Sequence, residues 1–338
     1  MIAQKSILPT GSLGFLIYTL LLFTAIMMLP PAALQPGSEE FIFVIGGLAT
    51  WRYSWGLVHY SRHLIYRHIA FPKMRAAVIS GGESLMPPYV YLLVTSFRIE
   101  TSTSILVFHA AIKEAITCGI PTTIVASIVE KQDEFLIRNM FRDANPPAHV
   151  KLNIVRIPGT GKRDGLAQAF RAISRDMPHP DAIVAVIDGD SILEDGLIRK
   201  TVPFFALMPE VGALTTDELC EVKGSRIIRE WHNLRFAQRQ VLMCSVGLSH
   251  KVLTLTGRMS MFRASIVIDP EFIAHVQSDS INHWRLGKFQ FLTGDDKSSW
   301  YSVLKKGWDM LYIPDTVVLT VEHPPSDNFF KATTQLMF

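Results

Sequence analysis

Ala182-Ile183-Val184-Ala185-Val186-Ile187-Asp188-Gly189-Asp190 is the stretch on which the reading of this chain turns. Six apolar residues in succession read as a strand buried on both faces, as in the interior of a parallel sheet. Two carboxylates stand at its C-terminal mouth, and in open α/β sheets ligands bind outside the carboxyl ends of the strands. Gly189 lets the backbone turn tightly and approach a ligand. Asp188 and Asp190, two residues apart, can hold Mg²⁺ or Mn²⁺ and leave positions for diphosphate oxygens. A D-x-D is common, and a solvated Asx turn is the competing reading. The buried strand before it gives this one its weight.

Upstream, apolar runs alternate with helical patterns. Strands are predicted at Val90 to Thr95, Thr122 to Val129 and Val150 to Ile157, with helices at about Thr103 to Cys118, Phe135 to Arg142 and Arg163 to Arg175. This alternation predicts a mostly parallel sheet covered by helices on both faces. Thr95, Ser96 and Glu130 then join Asp188 at the carboxyl ends of the strands. Gly159-Thr160-Gly161-Lys162-Arg163 follows the third strand and opens a helix. Its cations can neutralise a diphosphate, although the spacing is not that of a P-loop and a plain basic loop is the alternative.

Downstream of about residue 215 the pattern loosens. A polar, aromatic-bearing helix is read at Arg226 to Met243, strand and turn around Gly257, and a short helix at Asp296 to Lys306. Thr293-Gly294-Asp295-Asp296-Lys297 puts a second carboxylate pair at that helix start. Helix N-termini favour carboxylates, so an N-cap pair competes with a general base. Trp300 and Tyr301 could form a sugar-stacking platform, with a core position the stronger reading. The histidines, among them His232, His250 and His323, show no metal-ligand spacing.

The chain has 338 residues, 49% of them hydrophobic, enough for one large domain or two smaller ones. A mean hydropathy of +0.24 points to membrane segments. The net charge of +3 gives no electrostatic case for a nucleic-acid partner. Cys118, Cys220 and Cys244 read as free thiols in a reducing compartment. No charged residue lies between Lys5 and Glu39. Two transmembrane helices are predicted, at about 12–30 and 41–60, the first stopped by Pro30-Pro31. A cleaved signal peptide is the weaker reading of the first, because the apolar region is long and a second one follows. Arg52 inside the second span would cost about 2.5–3.5 kcal/mol at the bilayer centre, or snorkel from an interfacial position. Glu39 and Glu40 in the link, with Arg62, Arg67, Lys73 and Arg75 beyond, put everything after about residue 70 in the cytoplasm.

In order and kind these features resemble the inverting GT-A glycosyltransferases of family 2, and more closely the processive membrane synthases of cellulose, hyaluronan, chitin and alginate. The likeness runs from about residue 89 to the end. Val94-Thr95-Ser96-Phe97 stands at the family's first-strand nucleotide contact, and Glu130 where the family has an aspartate near base and ribose. Gly161-Lys162, with Arg163 beside it, matches the G-K element, and Asp188-Gly189-Asp190 the D-x-D. Thr256-Gly257-Arg258 with Phe262-Arg263 resembles the acceptor-side segment. Thr293 to Lys297 matches the T-E-D or G-D-D-R motif, whose last aspartate is the base. That makes Asp296 the implied base, with Asp295 next to it and Trp300 on the acceptor side.

Gly294 to Trp300, Gly307-Trp308-Asp309 and Glu322-His323-Pro324-Pro325 are most similar to the alginate-polymerising members from pseudomonads. The resemblance implies a Rossmann-like GT-A domain behind a transmembrane hairpin, at the bacterial inner membrane with the domain in the cytoplasm. It implies Mg²⁺ or Mn²⁺, GDP-mannuronate as donor, a growing β-1,4-mannuronan chain and a cyclic-di-GMP-binding co-polymerase subunit. The expected organisation is a membrane part over 1–70, a linker over 71–88, a nucleotide-sugar half over 89–215 and an acceptor half over 216–338. The family's Q-x-x-R-W motif is absent unless Gln335 begins it, and the later membrane helices are missing, so a truncated chain is expected. A single-transfer enzyme acting on a lipid carrier, or a non-catalytic nucleotide-sugar-binding subunit, is the alternative. A haloacid-dehalogenase-type phosphatase also uses D-x-D, but it wants Thr or Val where Ile192 stands.

Overall fold

The computed structural model describes residues 30–97, 99–222, 226–285, 287–290 and 294–322, and some positions between 16 and 28. The chain divides into two units, one comprising Met1–His59 with Ser280–Phe291, the other Tyr60–Asp279 with Leu292–Phe338.

In the first unit the main element is helix α1, Glu39–Ile65, as far as His59. Its large apolar side chains, including Phe43, Trp51, Tyr53 and Leu57, face outward. A 27-residue helix is about 40 Å long, more than the ~30 Å hydrocarbon core. The continuous helical run Glu39–Leu85 is long and apolar enough to cross a membrane. The first predicted span, 12–30, lies largely outside the described residues. A hairpin, Ser280–His283 paired antiparallel with Gly287–Gln290, completes this unit.

The second unit is built on an eight-stranded sheet. In chain order its strands are β1 (Val90–Ser96), β2 (Thr122–Ile128), β3 (Val150–Arg156), β4 (Ile183–Ile187), β5 (Ser191–Leu193), β6 (Val211–Val222), β7 (Met259–Arg263) and β8 (Asp309–Glu322). Their spatial order is β3-β2-β1-β4-β7-β6-β8-β5. The β3-β2-β1-β4 half is wholly parallel. Strand β7 is antiparallel to both β4 and β6, β8 is parallel to β6, and β5 is antiparallel to β8. The sheet is therefore mixed rather than mostly parallel, a correction to the sequence expectation. Because β7 opposes both of its neighbours, β6 and β8 again run the same way as β4.

Helices α3 (Thr101–Thr117), α4 (Lys131–Asp143) and α5 (Lys162–Arg175) connect the parallel strands. Leu92, Leu93, Ile124, Val184 and Ala185 are fully buried between the helical layers, which is why these strands read as unbroken apolar runs. The long strands β6 and β8 escaped the sequence reading. Their residues mix Thr, Asp and Glu with aliphatics, and Pro314 interrupts β8 where the register with β6 shifts between Ile313 and Val317. Proline in a strand interior is tolerated at such an irregularity. Helices α6 (Arg226–Gly247), α7 (Pro270–Gln277) and α8 (Asp295–Lys305) follow β6.

Residues 71–88 do not form an open connection. A π-helical turn, Tyr66–Ala70, leads into helix α2, Phe71–Gly81, which buries Phe71 and Val78. The Tyr66 hydroxyl donates to the Tyr312 carbonyl at 2.6 Å. Arg75 forks onto Asp315 at 2.8 and 2.5 Å and lies over the Phe204 ring. These ties hold α2 to the sheet unit.

No disulfide links the three cysteines, of which Cys118 and Cys244 are buried and Cys220 half-buried. Burial, with the charge of Asp217 and against that of Arg67, pushes the Cys244 thiol up to about 12. It stays protonated at neutral pH, and only the thiolate is a nucleophile. Iodoacetamide at about pH 8 should therefore label Cys220 first, and Cys118 and Cys244 only on unfolding, as read by peptide mass spectrometry. Prompt alkylation of Cys244 in the native chain would contradict this packing.

Candidate active site

Strand β1 ends at Thr95-Ser96, and β4 delivers Asp188 directly beside it. The Thr95 hydroxyl lies 3.3 Å from Asp188 Oδ1, which also accepts from the Gly189 amide at 3.0 Å. The Ser96 hydroxyl is buried and has no partner among the described residues. Buried polar groups are normally satisfied, so this donor at the strand mouth is available to a ligand. Gly189 is required by space: a Cβ there would stand 2.3 Å from the Thr95 carbonyl oxygen and 2.9 Å from Ile99.

Lys162 is the first residue of α5. Gly161 before it has φ +126, a conformation that L side chains rarely adopt. The Lys162 ammonium lies 2.9 Å from Asp188 Oδ2 and 3.6 Å from Asp295 Oδ2. One cation thus touches both acidic motifs. Burial works to lower its pKa, but Asp188, Asp295 and Asp190 outweigh burial and raise it, so it is held charged. Burial pushes the Asp190 carboxyl above its ordinary range, and Asp188 adds to this against Arg258, Ser191 and Lys162. Desolvation and a like charge both disfavour the anion, and a bound cation would relieve both. The donor set is all oxygen, which suits Mg²⁺ or Mn²⁺. Asp190 and Asp188 therefore fit a hard divalent ion.

The N-cap of α8 is Gly294, so Asp295 and Asp296 occupy the first turn and neither caps the helix. Both carboxylates line a narrow void with Thr256, Gly257 and Ser299. Among the described residues Asp295 has an ion pair with Lys162, and none is made by Asp296. Thr293 lies outside the described residues.

The other expected residues fall in three groups. Arg163 is engaged with the protein itself, donating to the carbonyls of Gly294 at 2.8 Å and Val276 at 3.3 Å. It braces the approach to Asp295. Trp300 packs partly buried against the core and donates to the Val252 carbonyl at 3.0 Å. Arg263 is likewise spent on the carbonyls of Val211, Phe205 and Met208. Glu130 is at the N-cap of α4, at the end of β2. Arg258 does reach the site: its carbonyl accepts from the Asp188 amide at 2.9 Å, and its guanidinium donates to Glu218 Oε2 at 2.5 Å. Glu218, on β6, is buried and also pairs with Arg239 of α6. Sequence reasoning missed Glu218 and Arg239; the only signal was Thr216-Asp217-Glu218 within an unrecognised strand.

Lys162 thus joins the D-x-D and the second acidic pair at the strand mouths of the sheet. Residues 87–338 match the family model described as glycosyltransferase-like family 2, and the chain belongs to that family. Two curated relatives carry the name glycosyltransferase alg8. The one from Pseudomonas syringae pv. tomato is 55% identical over 325 residues, and the one from Azotobacter vinelandii 50% identical over 325 residues. Each alignment covers 96% of this chain, and the chain spans 66% of each relative's length. Among solved structures, the mannosyltransferase PcManGT from Pyrobaculum calidifontis, in complex with GDP-Man and Mn²⁺, superposes with a TM-score of 0.40 at 17% identity. That superposition covers 81% of this chain and 71% of that one.

Two glycines separate packing from chemistry. Gly189→Ala should cost about 1–3 kcal/mol by overpacking against the Thr95 carbonyl, read as a fall in the thermal midpoint. Gly257→Ala should leave the midpoint unchanged, because the nearest atom to its Cβ would be Asp296 Cβ at 4.0 Å.

Proposed function

We propose that this chain is the catalytic part of an inverting, processive glycosyltransferase of alginate synthesis, taking GDP-mannuronate as donor and extending a β-1,4-mannuronan chain. The observation that carries the reading is the Lys162 ammonium between Asp188 and Asp295, which brings the D-x-D and the second acidic pair into one crevice. The names of the two relatives support the pathway and, with it, the donor.

In this reading Thr95, Ser96 and Glu130 face the nucleoside of the donor. Asp190 and Asp188 hold Mg²⁺ or Mn²⁺, which when bound supplies charge neutralisation for the leaving nucleoside diphosphate. Lys162 adds a positive charge on the same side. Asp296, on the void shared with Gly257, takes the proton of the acceptor hydroxyl as that oxygen attacks the anomeric carbon. Asp295 stays paired with Lys162, which leaves Asp296 as the base. One displacement inverts the anomeric centre without a covalent enzyme intermediate. Gly257 and Arg258 flank the acceptor, with Trp300 on the same helix as Asp296. The outward apolar surface of α1 supports a membrane anchor, one arm of a transmembrane hairpin at the bacterial inner membrane with the catalytic domain in the cytoplasm. The partner expected there is a cyclic-di-GMP-binding co-polymerase subunit.

Asp296→Asn should lower kcat by on the order of 10²–10⁴-fold while leaving donor affinity nearly unchanged, measured by radiolabelled donor incorporation in membranes. Wild-type kcat in that variant would remove Asp296 as the base. In the same membranes labelled GDP-mannuronate should be incorporated in the presence of excess UDP-sugars, and incorporation from a UDP-sugar alone would refute the donor assignment.

A further inference from the structure

Arg258, whose carbonyl accepts from the Asp188 amide, also lines a cavity of about 380 Å³ whose walls include His232, Arg235, Phe236 and Arg239. Two of these arginines, Arg239 and Arg258, share one carboxylate oxygen of the almost wholly buried Glu218. Its other oxygen has no hydrogen-bond partner among the described residues. Three guanidinium groups line this cavity; those of Arg239 and Arg258 pair with Glu218, and Arg235 is exposed. Arg235 and Arg239 are one helical turn apart on α6, so they lie on the same face. Arg235 is exposed and stacks on Trp231, its guanidinium carbon 4.7 Å from the ring centre. Phe236, under the Arg258 guanidinium at 5.0 Å, adds an apolar surface between the cations.

A row of arginines beside aromatic faces suits one kind of ligand. Arginine binds carboxylates in a planar fork, and aromatic faces accept the apolar side of a ring. A neutral glycan offers no anion to the exposed Arg235 guanidinium. A free diphosphate belongs on the other side of Asp188, where Lys162 and the strand mouths stand. We propose that this cavity is the acceptor subsite, and that Arg235 and Arg239 read successive carboxylates of a uronate chain while Arg258 orients its terminal residue toward Asp296. The inference rests on the proposed function and adds to it the residues that select a charged over a neutral acceptor.

The test uses the full chain in membrane nanodiscs with a fluorescent mannuronate oligosaccharide and a cello-oligosaccharide of equal length. Arg235→Gln is the informative variant, since Arg235 is exposed and its loss leaves the Glu218 cluster intact. It should weaken mannuronate binding by about tenfold, the loss expected for one carboxylate hydrogen-bonded pair. Arg235→Lys should recover part of the loss, and the Michaelis constant for the donor should not move. Binding of the mannuronate oligosaccharide to Arg235→Gln and to Arg239→Gln at wild-type strength would overturn the proposal. So would equal wild-type affinity for the neutral oligosaccharide, or a rise in donor KM in place of the acceptor effect. Asp296→Asn should bind the mannuronate oligosaccharide as wild type does while failing to transfer. Loss of the donor reading would show as transfer from a UDP-sugar, an outcome separate from oligosaccharide binding.

Discussion

The Lys162 ammonium is the charge on which the candidate site depends. It sits at a helix N-terminus, where the macrodipole disfavours a cation, and it is partly withdrawn from water. Asp188 and Asp295, with Asp190 nearby, more than offset both penalties. The dependence is mutual, since three carboxylates gathered without a cation would repel one another in a poorly solvated crevice. Arg163, next in sequence, braces the same junction through the Gly294 and Val276 carbonyls. A single turn of α5 thereby holds two acidic motifs that lie far apart in the chain.

The antiparallel strand β7 has a separate consequence. Inserted between β4 and β6, it leads in from Arg258, whose carbonyl receives the Asp188 amide. Strand β6 then brings Glu218 within reach of Arg258, and α6 adds Arg239. The D-x-D thus has a lysine on its parallel side and an arginine cluster on its mixed side. Positive charge stands in two separate places, one on each half of the sheet.

Much of the parallel half was legible from residue order. Buried strands between two helical layers must be apolar on both faces, so their runs stand out between Gly and Pro punctuation, and β1 to β4 fall within a residue or two of the expected positions. Strands β6 and β8 were not legible. Polar residues interrupt the apolar pattern on both faces of β6, as in Thr215, Asp217 and Glu218, and Pro314 breaks the run in β8. Helix α2 was read as part of a linker because Gly81-Gly82, Pro87 and Pro88 punctuate the chain at and just after its end. The burial of Phe71 and Val78, and the grip of Arg75 on Asp315, depend on neighbours distant in sequence.

The acidic motifs, the glycines that let them turn and the strand that ends at Asp188 were determined by local sequence alone. Steric limits on the backbone and the apolar pattern of a doubly covered sheet act over a few residues at a time. Which charges meet was decided only by the tertiary structure. Arg163 and Lys162 are adjacent and chemically alike as cations, yet one braces backbone carbonyls and the other joins two carboxylates. Arg258 and Arg263 divide in the same way, one beside Asp188 and the other bound to the carbonyls of Phe205, Met208 and Val211. Direction along a helix or strand separates these neighbours, and the partners each one finds come from segments that only the folded sheet brings near.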